Sequence, residues 1–167
     1  MDGGTARIFM VTKKNTGEIF TLKYFCNVQD GKYHEPGKIK YLPEKFCCLM
    51  EIYVLQLLKD CPRIVNYEES LRYTKNNQDY LFLFKEYMPT VCYSLVELKG
   101  DRPFCEESIA YILLETMQAL RALHERNIVC HGVRSDDILF DDDGTIKLLD
   151  FNLAIQLTKI NGTSTKR

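Results

Sequence analysis

Two short runs rich in β-branched and aromatic residues, 6–11 and 19–24, flank a polar stretch in which Asn15-Thr16-Gly17 is turn chemistry. That pattern predicts strand, turn, strand. Residues 27–43 carry Asp30-Gly31, Pro36-Gly37 and Pro43 and are expected to form a long loop. From Glu44 to Lys59 apolar residues fall at Phe46, Met50, Tyr53, Val54 and Leu57. Those offsets put one stripe on a helix that packs against the sheet.

Strand material follows at 64–67, 71–73 and 80–85, with the polar turn 75–79 before the last of these. Pro89 marks a break. A long helix is expected over 106–125, with Ile109, Ile112, Leu113, Met117, Leu120 and Leu123 on its apolar side. Beyond it, 127–130 is strand-like and 131–137 is a polar loop. Residues 138–140 and 146–149 form a hairpin about the Asp141–Gly144 turn. The tail 158–167 is polar and basic, and mobility is expected there.

Composition narrows the classes. The chain has 167 residues, a formal net charge of −1 and near-average hydrophobic content, which suits a globular domain. A basic excess for nucleic acid or acidic lipid is missing, and no apolar run reaches membrane-span length. Seven cysteines without CxxC spacing read as reduced thiols, implying a cytoplasmic or nuclear setting. Of Cys47 and Cys48, one is expected buried and one exposed.

The chemistry lies in an ordered set. Lys23 ends a strand, Glu51 lies mid-helix and Glu86-Tyr87 follows a strand. Arg134-Ser135-Asp136-Asp137-Ile138-Leu139 then precedes Lys147-Leu148-Leu149-Asp150-Phe151-Asn152. Each piece alone reads as ordinary surface charge or a capping acid. In this order and spacing the chain resembles the eukaryotic protein kinases, of serine/threonine type, from about Gly3 to Leu157. The resemblance implies an α+β kinase-like fold in which an antiparallel sheet with one helix (1–85) leads into the first part of a helical lobe (86–157).

It also implies roles. Lys23 matches the strand lysine that holds the α- and β-phosphates of ATP, and Glu51 matches its helix partner. Asp150 and Asp137 match the two magnesium positions, Asp137 standing where the family has asparagine. Gly3, Ile8, Thr21, Lys85, Glu86, Met88 and Leu139 complete the implied nucleotide-binding set. Gly3 and Ala6 fall at the second and third positions of the glycine-rich loop, where a Cβ at Ala6 hinders backbone approach to phosphate. Thr21 stands where the family has a small alanine, and Ile8, Thr21 and Leu139 match the residues that sandwich adenine. Lys85 falls at the normally apolar gatekeeper position, from which it could reach Glu51 or fill the pocket. Leu55, Phe151 and Cys130 match members of the apolar stack that joins the lobes.

The catalytic loop departs furthest. Asp137 precedes Asp150 by 13 positions (150 − 137), the family's spacing between its metal-binding residues. In that register the family's His-Arg-Asp falls on Cys130-His131-Gly132, so the general base is replaced by Gly132. Arg134 retains the cation of the loop, and His131 reads as structural, with no nucleophile beside it. Asn152 replaces the glycine after Asp-Phe, although asparagine tolerates unusual φ. The implied protein is a pseudokinase that binds ATP and magnesium weakly. The alternatives are an active or weakly active ATP-dependent serine/threonine kinase, and a pure interaction module or fragment of a longer kinase. The resemblance further implies a domain longer by about a hundred residues. The apolar face of helix 106–125 is therefore expected to be exposed and to require a protein partner or a second copy.

Overall fold

The computed structural model describes residues 6–26, 44–76, 78–100 and 102–157. Gly3, the expected loop 27–43 and the tail 158–167 lie outside the described residues. The chain opens with β1 (Arg7–Thr12) and β2 (Ile19–Cys26), an antiparallel hairpin. Gly17 closes it at φ 78°, a conformation that a Cβ disfavours, while its N–H donates to the Lys13 carbonyl at 2.8 Å. Helix α1 (Glu44–Leu57) follows, then β3 (Tyr67–Lys75) and β4 (Gln78–Glu86). The four strands form one sheet in the order β1-β2-β4-β3.

Alternation along β4 sends Leu81, Leu83 and Lys85 to the buried face. On β2, Lys23 and Phe25 are buried in the same way. The expected stripe on α1 holds only in part. Val54 is buried and Met50 packs against the core, but Tyr53 and Leu57 are exposed; the Phe46 side chain lies outside those described. The face that meets the sheet carries Cys48, Glu51, Ile52, Leu55 and Leu58, and a carboxylate in its middle hid it from a search for apolar positions. Cys48 is buried as expected of one of the paired thiols, whereas Cys47 is half-buried rather than exposed. Of the expected strand 64–67 only Tyr67, the first residue of β3, lies in the sheet. Instead Ile64 forms a parallel bridge to Leu148, and Arg63 and Val65 bond to the Leu148 backbone at 2.8 and 3.1 Å, tying the two halves together.

After β5 (Thr90–Val91) comes α2 (Cys92–Lys99), which the pattern did not foretell. It buries only Cys92, so it carries no periodic stripe. Helix α3 (Glu106–His124) has Glu106 and Glu107 in its first turn and Arg121 and His124 in its last, which complements the helix dipole. Only Ala119 and Leu123 of α3 are buried, while Ile109, Leu113 and Met117 are 44%, 56% and 66% exposed. The remainder is β6 (Ile128–Val129), a 3-10 turn at Ser135–Asp137, the expected hairpin β7 (Ile138–Phe140) and β8 (Ile146–Leu148), and β9 (Ile155–Gln156). Strand β9 pairs with β6 and also went unforeseen, because both its side chains are exposed and only its backbone holds it.

One apolar cluster runs through both halves. Leu55, Leu58 and Leu83 meet Ala119, Leu123, Ile128 and Phe151 in it, and Cys130 packs against its edge. The expected stack of Leu55, Phe151 and Cys130 therefore lies in a single core. No helix among the described residues is long and apolar enough to cross a membrane.

Candidate functional site

The site is built where the buried face of the sheet meets α1. Thr21 pairs with Lys85 and Lys23 with Leu83 across β2 and β4, so both lysines stand on one face as diagonal neighbours. Both are buried, and Glu51 descends between them from the middle of α1. Lys23 Nζ donates to Glu51 Oε2 at 2.6 Å and Lys85 Nζ to Glu51 Oε1 at 2.9 Å. Lys23 Nζ also reaches Asp150 Oδ1 at 3.2 Å. Of the two options open to Lys85 from sequence, its amine takes the one toward Glu51.

Charge follows from this geometry. Burial pulls the Lys23 pKa down, but the carboxylates of Glu51 and Asp150 outweigh it, and the net shift is upward. Burial alone would raise the Glu51 pKa, yet Lys85 and then Lys23 hold it below the usual carboxylate range. For Lys85 burial wins: its pKa is lowered despite Glu51, with Lys23 adding repulsion.

Asp150 sits at φ 64°, in the left-handed region that non-glycine residues avoid. The backbone excursion falls on this residue and not on Asn152, which instead donates its amide to Asp150 Oδ2 at 3.4 Å. Asp137 is buried, and its Oδ2 accepts the Arg134 N–H at 2.9 Å while its own N–H donates to the Arg134 carbonyl at 3.0 Å. One carboxylate oxygen thus holds the loop in shape. Burial first, and Asp150 next, raise the Asp137 pKa. Two acids that feel each other are a donor set of hard oxygens, which suits magnesium: that ion takes one or two carboxylates and fills its shell with phosphate and water. Cys130, desolvated and facing both acids, has its thiol pushed up to about 11.

Gly132 is exposed at φ 74°, and a Cβ built there would meet only Leu153 Cδ1, at 3.9 Å. Arg134 is exposed, its Nε 3.9 Å from Asp137 Oδ2. His131 is exposed. Met88 and Leu139 are buried together with Val65, whereas Ile8 is 63% exposed on β1, opposite Lys23, and Thr21 is half-buried. The Glu86 side chain is committed elsewhere. It receives Lys147 Nζ at 2.7 Å on each oxygen and the Asn66 N–H at 2.9 Å. Sequence reasoning missed Lys147 as the partner; a lysine in the middle of the apolar run Ile146–Leu149 was the available signal.

The profile of the protein kinase domain matches residues 2–166, and the chain belongs to the protein kinase family. Among its relatives, the chain is 34% identical over 124 residues to Serine/threonine-protein kinase CLA4 of Eremothecium gossypii, covering 70% of this chain and 15% of that protein. It is 29% identical over 153 residues to Probable serine/threonine-protein kinase pkgA of Dictyostelium discoideum, covering 91% and 10%. With Serine/threonine-protein kinase PAK 1 of Mus musculus it shares 34% over 116 residues, covering 70% and 20%. The chain thus spans between 10% and 20% of the length of these relatives.

Proposed function

We propose that this chain is a catalytically impaired kinase module, a pseudokinase that holds ATP and magnesium weakly and acts by binding a partner protein. The observation that carries the reading is Gly132. At the position where a kinase needs a carboxylate to accept the substrate hydroxyl proton there is no side chain, and the backbone holds φ 74°. In this reading Lys23, positioned by Glu51, holds the α- and β-phosphates, and the adenine lies between Ile8 and Thr21 above and Leu139 and Met88 below. Asp137 and Asp150 would hold magnesium, which would neutralise phosphate charge. The exposed Ile109, Leu113 and Met117 of α3 are consistent with a protein partner over that face, and the described cysteines, none of them in a disulfide, with a cytoplasmic or nuclear setting.

A second reading, a weakly active serine/threonine kinase, draws on one specific feature. Lys23 is simultaneously 2.6 Å from Glu51 and 3.2 Å from Asp150, so the positioning apparatus is assembled. Two measurements separate the readings. Thermal melts with ATP, with and without magnesium, on the wild type and Lys23→Ala test the pocket: a magnesium-dependent rise that the variant loses is expected. No shift at millimolar ATP would leave a pure interaction module. Phosphate transfer to a generic substrate by the wild type, abolished by Lys23→Ala, would overturn the pseudokinase reading. Transfer that appears only in Gly132→Asp would support it.

A further inference from the structure

The face of the sheet turned away from α1 is aromatic. The strand alternation that buries Lys23, Leu83 and Lys85 sends Phe20, Tyr24, Phe82 and Phe84 to this opposite side, where all stay partly accessible. Tyr24 packs on Phe82 at 5.2 Å between ring centroids. At one end the face hollows into a groove of about 550 Å³, lined by Val11, Lys13, Phe20, Phe84, Glu68 and Glu69 among others.

The two glutamates reach the groove through a break in register. Tyr67 pairs with Lys85 and Glu69 with Phe84, so two steps on β3 answer one step on β4. In a regular strand, neighbours point to opposite faces; the bulge brings Glu68 and Glu69 to the same groove. Both are exposed. The groove also holds a cation already. Lys13 Nζ stands 6.0 Å from the Phe20 centroid, held by Glu18 at 3.5 Å. That pair balances itself, and among the described residues no side-chain hydrogen bond or ion pair is made by Glu68 or Glu69, beside two aromatic rings. Carboxylates next to aromatic faces complement a cation that carries apolar surface on its stem or its neighbour.

We infer that this groove is a docking site for a basic, apolar segment of a partner protein, with an arginine or lysine held by Glu68 and Glu69 over Phe20 and Phe84 and a large apolar residue beside it. The site lies on the opposite face of the sheet from Lys23 and is independent of nucleotide.

The test is fluorescence anisotropy of the full chain with a short labelled peptide of alternating arginine and phenylalanine. Two comparison peptides carry glutamate for arginine, or serine for phenylalanine. Saturable binding of the first peptide alone is expected, weakened about tenfold in Glu68→Lys/Glu69→Lys. The charge-matched control Asp142→Lys/Glu106→Lys, on exposed positions elsewhere, should bind as the wild type does. Thermal melts confirm that both variants fold. No saturable binding to the wild type would overturn the proposal. So would equal loss in the two double variants, which marks unspecific attraction, or equal affinity for the serine peptide, which removes the aromatic groove from the account.

Discussion

Lys85 Nζ and Glu51 Oε1 meet at 2.9 Å beneath the sheet, so the carboxylate that pairs with Lys23 is shared with a second buried ammonium. The two tethers are not equivalent. Lys23 reaches on to Asp150, whereas Lys85 is 1% exposed and serves Glu51 alone among the bonds observed. Helix α1 is therefore anchored to the sheet from two strands at once.

That sharing predicts unequal costs. Glu51→Ala leaves the buried Lys85 ammonium without its counter-charge and Lys23 with Asp150 alone, and should destabilise the fold by about 3–5 kcal/mol. Lys85→Met replaces an ion with an apolar chain of similar length while Glu51 keeps Lys23, and should change stability by no more than about 1 kcal/mol. Urea unfolding of the two variants checks the contrast. Equal losses would mean that Lys85, not Lys23, is the principal tether.

The pH dependence follows with a definite sign. Glu51 has a lowered folded pKa, so the stability it contributes is present above its unfolded value of 4.5 and is lost as pH falls through the folded value. Lys85 also has a lowered pKa, so the unfolded chain binds more protons and stability rises as pH climbs toward 10.5. In Lys85→Met the Glu51 carboxyl loses its largest opposing charge. The acid-side loss should then be smaller and complete at a higher pH, and the alkaline gain from Lys85 should vanish. Unfolding free energy measured against pH for both proteins reads out each limb.

Gly132→Asp should fold. The Cβ has room, with only Leu153 Cδ1 at 3.9 Å, but φ 74° is costly for a side chain, by about 1–2 kcal/mol. A drop of that size in unfolding free energy is expected. A much larger loss would mean that the loop cannot accept a base at all, and a failed gain of activity would then be uninformative.

Glu86 provides a separate test. Its carboxylate holds Lys147 at 2.7 Å and the Asn66 N–H at 2.9 Å, so Glu86→Ala strands a largely buried ammonium and should cost about 1–3 kcal/mol. An ATP-induced thermal shift, where the wild type shows one, should persist in this variant because the side chain faces Lys147. Its abolition without loss of stability would place Glu86 in the nucleotide site directly.

Much of the site could be read before the fold was known, because the resemblance to the protein kinases assigned its residues. Lys23, Glu51 and Asp150 are distant in sequence yet meet within hydrogen-bonding reach, and Lys85 took one of its two foreseen courses. What stayed hidden had weak periodicity or depended on pairing. Helix α2 buries one residue, and β9 is held by backbone bonds. The true buried face of α1 was masked by the carboxylate that gives it its role. The salt bridge between Glu86 and Lys147 joins residues 61 apart, and neither carries a local signal of the other. The same holds for the bulge at Glu68, which exists only in the register of two strands.

The pairing of β6 with β9 has a wider consequence. Ile128 lies opposite Gln156, and the Leu157 N–H reaches the Asn127 carbonyl at 2.7 Å, so the segment between them leaves and returns at one point. Asp137 and Asp150 both lie on that closed circuit, with the exposed turn at Asp142 on its far side. A protease that cut the turn would open the circuit without parting its ends. The two pieces would remain clasped at β6 and β9 and along the β7–β8 ladder, keeping the acids together in a nicked chain.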